Sequence, residues 1–203
     1  MAHTCLGRSR IAALAACIAL ALATSPARAD NLRFSLFSGA VIAHNFGALD
    51  DGAMMGVGFE NETGPIVSLI GEFEYFRLGG VHPYYTGYGS YDDHVHAGAV
   101  TLGLGLRLHA FPNSRVRPYT ELMLGARVGG EEQYSMVMMP LSAGSGTPDP
   151  ESIRDGTSAT LRVGVTAARF GRSGLFLDGG VNLLVKNPAD YALAPIRIGL
   201  TLR

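Results

Sequence analysis

The chain has 203 residues, 47% of them apolar, with 16 Lys and Arg against 17 Asp and Glu and a formal charge of −1. That balance gives no electrostatic case for nucleic acid as a partner, and the length leaves room for one domain once a leader is set aside. Lys186 is the chain's single lysine.

The N-terminus reads as an export signal. Arg8 and Arg10 form a basic start, residues 11–23 an apolar run, and Ala27-Arg28-Ala29 a small-x-small cleavage site ahead of Asp30. The reading is a signal peptide of residues 1–29 and a mature domain of residues 30–203. Cleavage removes three basic side chains and no acidic one, so the remainder is acidic. Both cysteines, Cys5 and Cys17, leave with the leader, and no disulfide or thiolate metal site is expected. Leu14-Ala15-Ala16-Cys17 also resembles a lipobox, an alternative in which Cys17 becomes the acylated first residue. Against it, Cys17 sits inside the apolar run rather than before a polar tether.

Beyond the leader, two-residue periodicity recurs. Val100, Leu102, Leu104, Leu106 and Leu108 alternate with Thr101, Gly103, Gly105 and Arg107. Val67, Leu69, Phe73 and Tyr75 stand against Ser68, Glu72 and Glu74, and Ala159, Leu161, Val163 and Val165 against Thr160, Arg162 and Gly164. Each is a β-strand with one apolar and one small or polar face. Eight strands are expected, near residues 32–44, 53–60, 66–78, 95–109, 118–129, 158–169, 175–185 and 193–203.

Polarity decides which face looks outward. The non-apolar faces carry Gly, Thr, Ser and occasional Arg or Glu rather than the dense charge a water-facing wall needs, so the apolar face is read as facing lipid. No long apolar run survives cleavage to make a helical span. A membrane protein without one must close its sheet, because only closure satisfies every backbone group in lipid. Compact Gly/Pro/Asn/Ser turns at residues 61–65, 111–117 and 170–174 alternate with connections read as longer, especially 79–94 and 130–156. The expected fold is all-β: an eight-stranded antiparallel up-and-down transmembrane β-barrel, with short turns in the periplasm and long loops outside.

In this architecture the chain resembles the small outer-membrane barrels of the OmpA/OmpX type. The resemblance rests on "FPNSRVRPYTELMLG" at residues 111–125 and on the closing strand Pro195-Ile196-Arg197-Ile198-Gly199-Leu200-Thr201-Leu202-Arg203. It implies export to the bacterial outer membrane and handling by the barrel-assembly machinery. The family usually finishes in an aromatic residue, whereas this sequence stops at Arg203. Phe59, Phe111, Tyr119 and Phe170 are expected as rim aromatics at the short-turn end, with Tyr75, Phe76 and Tyr191 near the other rim.

Strand parity sends Glu72, Glu74, Glu121 and Asp178 inward, together with Arg107, Arg127, Arg162, Arg197 and Arg203. An eight-stranded barrel is only wide enough for side chains to fill, and buried charges must pair. The expectation is a salt-bridged polar plug. Glu72, Glu74, Arg162 and Arg197 should meet at mid-height, with Arg107 near the floor and Arg127 near the mouth. A gate that passes small ions by exchanging these pairs is the alternative.

The segment around His82, Asp92, Asp93, His94 and His96 is read as a Gly/Tyr-rich external loop suited to adhesive contact. The same residues are a candidate metal or pH-sensitive site, and Ser90, His94 and Asp92 can be written as a hydrolytic triad, although neither spacing is a recognised motif. Lipid A deacylase barrels are the enzymatic analogy, without a convincing His-x-Ser pairing near the C-terminus to support it. A second long loop over residues 131–155 carries an apolar patch, Met136, Met138 and Met139, expected to fold onto the barrel mouth. Together these features predict a monomeric barrel with a structural or surface-interaction role, no catalysis and no cofactor. Its expected partners are outer-membrane lipid and lipopolysaccharide, the assembly machinery, and an extracellular partner at the long loops.

Overall fold

The computed structural model describes residues 31–44, 51–86, 89–111, 114–134, 155–170, 173–186 and 192–202. Eight strands follow in chain order: β1 Leu32–His44, β2 Gly52–Glu62, β3 Val67–Thr86, β4 Gly89–His109, β5 Arg117–Tyr134, β6 Gly156–Phe170, β7 Ser173–Leu184 and β8 Ala192–Leu202. Each pairs antiparallel with its chain neighbours, and β1 pairs with β8, so the sheet closes. The architecture is the all-β, eight-stranded up-and-down barrel that the periodicity predicts.

Register sets the two faces. In antiparallel pairing directly opposed residues share a face, and the rows Ser35–Gly58–Glu72–Gly103 and Phe34–Phe59–Gly71–Leu104 show the alternation. The first row points inward and the second outward. Phe34, Leu36, Met55, Val57, Phe73, Leu106, Leu122, Leu124, Leu161, Val163, Leu177, Ile196, Ile198 and Leu200 are all exposed on the outer wall. Glu72, Glu74, Glu121, Arg162 and Arg197 are buried. This inverts the polarity of a water-soluble protein.

The turns at one end are short and internally bonded. Thr63 and Gly64 both donate backbone N–H bonds to the Val67 carbonyl, at 3.2 and 3.1 Å, and the Thr63 hydroxyl adds a third at 2.9 Å. At the β4–β5 turn Ser114 N donates to the Phe111 carbonyl at 2.9 Å, and Phe111 takes a φ of 53°, in the left-handed region. The β6–β7 register shifts between Thr166 and Ala168, a bulge that alternation alone does not reveal.

Two expectations about the other end need correction. Residues 79–94 are not a long loop: β3 and β4 stay paired from Val67↔Leu108 up to Thr86↔Gly89. β5 likewise continues to Tyr134, opposite His94. Backbone pairing does not require an apolar face, and the Gly-, Tyr- and His-rich stretch carries no two-residue alternation to announce it. The leader with Cys5 and Cys17, the Met136–Met139 segment, Tyr191 and Arg203 lie outside the described residues.

Candidate functional site: the charge layer inside the barrel

Arg197 on β8 is fully buried and stands opposite Asp178 on β7. Its Nε donates to Asp178 Oδ1 and its Nη2 to Asp178 Oδ2, each at 2.7 Å, a bidentate pair. Its Nη1 donates to Glu72 Oε2 at 2.6 Å and to Glu74 Oε1 at 3.1 Å. The guanidinium also lies 4.4 Å from the Phe37 ring centroid, so part of its charge faces an aromatic surface.

Arg162 on β6 reaches the same carboxylates from across the barrel. Nη1 donates to Glu72 Oε2 at 2.6 Å and to Glu121 Oε1 at 2.5 Å, while Nη2 donates to Glu74 Oε1. Two arginines thus share Glu72 and Glu74. Room for this comes from Gly180, opposite Arg162 in register: a Cβ there would sit 2.1 Å from the Leu161 carbonyl oxygen and 2.6 Å from Arg162 Cγ.

Nearer the short turns, Arg107 donates through Nη1 to Glu60 Oε2 at 2.7 Å, and through Nε and Nη2 to Glu121 Oε2 at 3.1 and 2.8 Å. It stacks 4.5 Å over the Tyr119 ring, whose hydroxyl donates to Asp178 Oδ2 at 2.6 Å. Glu121 therefore bridges Arg107 and Arg162, and Asp178 bridges Arg197 and Tyr119. The result is one continuous network across β2, β3, β4, β5, β6, β7 and β8.

Arg127 is placed elsewhere. It donates through Nη2 to the Asn182 carbonyl at 2.9 Å and to Asn182 Oδ1, and Asn182 Nδ2 in turn donates to Thr160 Oγ1 at 2.8 Å. Asn182 anchors it toward the long-loop end of β7.

Two network members, Glu60 and Tyr119, were missed or misplaced by the sequence reading, and parity was the available signal. Glu60 alternates with the outward Phe59, which puts it inside. Tyr119 and Phe76, expected at the rims, have the parity of Glu121 and Glu74 and are buried inside. The interior also departs from a wholly polar plug. Beyond the charged residues of their own strands, toward the long-loop end, Phe37, Val41, Met54, Phe76, Leu78 and Leu193 form an apolar cluster with Ala97 and Ala99. A closed barrel's interior needs filling by volume, and apolar side chains fill it without pairing.

At the floor, His109 Nε2 lies 2.8 Å from Glu60 Oε1 and 3.3 Å from Ser68 Oγ. A hydrolytic triad uses the two ring nitrogens separately, one for the acid and one for the hydroxyl. Here one nitrogen meets both groups, so Ser68, His109 and Glu60 form a structural contact and not that catalytic arrangement.

The candidate loop site is resolved only in backbone terms. His82 stands opposite Asp93, Pro83 opposite Asp92, Val81 opposite His94, and Gly79 opposite His96. These positions belong to a paired ribbon, not to a loop. The side chains of His82, Asp92, Asp93 and His94 lie outside the described residues. Among the described residues no three His, Cys, Asp or Glu side chains gather as a metal site.

No protein-family model and no curated protein sequence matches the chain. Solved structures do match it in fold. Neisserial surface protein A superimposes with a TM-score of 0.58 at 12% identity, covering 85% of this chain and 96% of that one. Ail, the attachment invasion locus protein of Yersinia pestis, gives 0.53 at 13% identity, covering 84% and 96%. The outer membrane protein OprG from Pseudomonas aeruginosa gives 0.50 at 11% identity, again covering 84% and 96%. The closed sheet of eight antiparallel strands, over nearly the whole length of those proteins, gives this chain the fold of the small outer-membrane β-barrels.

Proposed function

We propose that the chain is an integral outer-membrane barrel, exported through the leader of residues 1–29, with a structural or surface-interaction role and no catalytic one. The observation that carries this reading is the inverted polarity of the wall. Soluble monomers rarely expose a contiguous apolar patch beyond a few hundred Å², yet here, among the described residues, each of the eight strands offers Leu, Val, Ile, Phe or Met outward, while Glu72, Glu74, Glu121, Arg162 and Arg197 are buried. Lipid is the solvent that suits such a surface.

In this reading the interior is a plug. The arginine–carboxylate network spans the barrel at mid-height, and Phe76, Leu78 and Leu193 pack beyond it toward the long-loop end. Recognition of partners then falls to the ribbon of β3 and β4 and to the connections at that end.

Cell fractionation tests the location: recovery in the outer membrane, with a gel mobility that shifts on heating, is the expected result. Recovery as a soluble periplasmic protein overturns it. Planar-bilayer recording tests the plug, with no steady conductance expected; regular unitary openings would instead favour the narrow-channel reading.

A further inference from the structure

The outer face of β4 and β5 changes character toward the long-loop end. Successive rows of opposed residues on that face are Val100–Val128, Gly98–Gly130, His96–Glu132 and His94–Tyr134. The valine row ends the apolar wall on these strands, and the glycine row adds no side chain. Beyond it come two histidine positions, two residues apart on β4, with a glutamate position opposite one of them on β5. Across β4 the opposed positions on β3 are Gly79 and Val81, which bring no competing polar group.

His96 is half-buried and enters no hydrogen bond or ion pair among the described residues. A Cβ at Gly79 would lie 3.5 Å from its Nδ1, an ordinary contact, so the bare backbone there leaves the ring room to turn. Tyr75 reaches the glycine row with its hydroxyl, 3.2 Å from where a Cβ on Gly98 would sit. A tyrosine at that height suits the edge of an apolar layer, which places His96 on the aqueous side in the membrane-spanning reading.

Strand geometry sets the spacing. Residues two apart on one face of a strand have Cα atoms about 6.5 Å apart, and directly opposed residues lie about 4.5 to 5.5 Å apart across an antiparallel pair. His94, His96 and Glu132 thus occupy the corners of a small triangle on one face. A triangle of that size suits three donors around one ion, with zinc–ligand distances of about 2.0 to 2.2 Å.

We propose that His94, His96 and Glu132 form a site for a divalent transition-metal ion, zinc by its donors, that joins β4 to β5 beyond the apolar wall. Two neutral imidazoles and one carboxylate are a zinc donor set with a fourth position left for water. Magnesium and calcium take all-oxygen shells instead. Glu132 also offsets the exposed Arg77, which stands opposite Gly98 one row nearer the wall. His82 and Asp93 oppose each other on the other face of the ribbon and do not belong to this site.

The test titrates zinc chloride into the full barrel, folded in detergent without an affinity tag, and follows the heat by calorimetry. Binding of a single zinc ion per barrel is expected, undisturbed by excess magnesium. His96→Ala and Glu132→Gln should each weaken it by more than about 10-fold, because even losing a ligand's supporting partner costs about that much. His82→Ala, on the other face, should leave it unchanged. Heat-modifiable mobility shows that each barrel has folded; if the His96→Ala barrel has not, His94→Ala replaces it. No zinc bound by the folded wild type overturns the proposal and leaves the membrane-spanning reading standing. Binding that survives undiminished in either folded variant, or that is lost in His82→Ala, overturns it too, because each result puts the ion elsewhere.

Discussion

Asp178 and Arg197 face each other across the β7–β8 pair and are joined by two parallel hydrogen bonds of 2.7 Å. Neighbouring strands thereby deliver a bidentate pair to a point where Glu72 and Glu74 arrive from β3, on the other side of the barrel. The pair is local in register, while its further partners are reached only through closure.

Removing the cation from that point strands the acids it serves. Arg197→Met should destabilise the barrel by about 3 to 5 kcal/mol, because breaking a buried pair leaves its partner's charge uncompensated. Urea unfolding in detergent or vesicles measures the loss. A variant as stable as wild type would mean that Arg162 alone satisfies Glu72 and Glu74.

Tyr119 separates ring from hydroxyl. Tyr119→Phe keeps the surface beneath Arg107 but loses the 2.6 Å bond to Asp178. A hydrogen bond to a charged group contributes about 1.5 to 3 kcal/mol, and a loss in that range is expected by the same unfolding measurement. Tyr119→Ala should cost more, since the stacking surface goes as well.

The outer wall supplies a test of solvent. Leu124 is 60% exposed on β5. In water, an exposed Leu-to-Arg change is close to neutral; on the lipid face near the bilayer midplane it costs about 2 to 4 kcal/mol. Folding Leu124→Arg into vesicles should show the larger figure, and a neutral result would place that face in water.

Gly180 tests the crowding beside Arg162. Since an added methyl would meet both the Leu161 carbonyl and the Arg162 side chain, Gly180→Ala should destabilise by about 1 to 3 kcal/mol, the usual range for overpacking. The same substitution at Gly64, where a Cβ meets nothing within 4 Å, should cost much less and serves as the control.

Strand identity was legible because Leu104, Leu106 and Leu108 alternate with Gly105 and Arg107, a two-residue period that no helix can match. The inward set was legible by the same parity, including Tyr119 and Phe76, whose aromatic character suggested a rim but whose phase puts them inside. Which carboxylate meets which guanidinium was only coarsely available. Arg107 reaches both Glu60 and Glu121, and its reach depends on shear, tilt and side-chain length. The bulge between Thr166 and Ala168, and the paired ribbon through Tyr84 and Tyr91, left no trace in hydropathy because backbone hydrogen bonds set them.

The pairing of β1 with β8, with Phe34 opposite Leu202, ties the first strand to the last. Until β8 has emerged, β1 and β7 are unpaired edges whose amides and carbonyls cannot enter hydrocarbon without cost. Contacts so distant in sequence carry a large loop-closure entropy and form slowly. The nascent chain must consequently be kept from aggregating until synthesis is complete. In the membrane-spanning reading, the free edges of β1 and β7 stay unsatisfied in hydrocarbon until β8 pairs with β1.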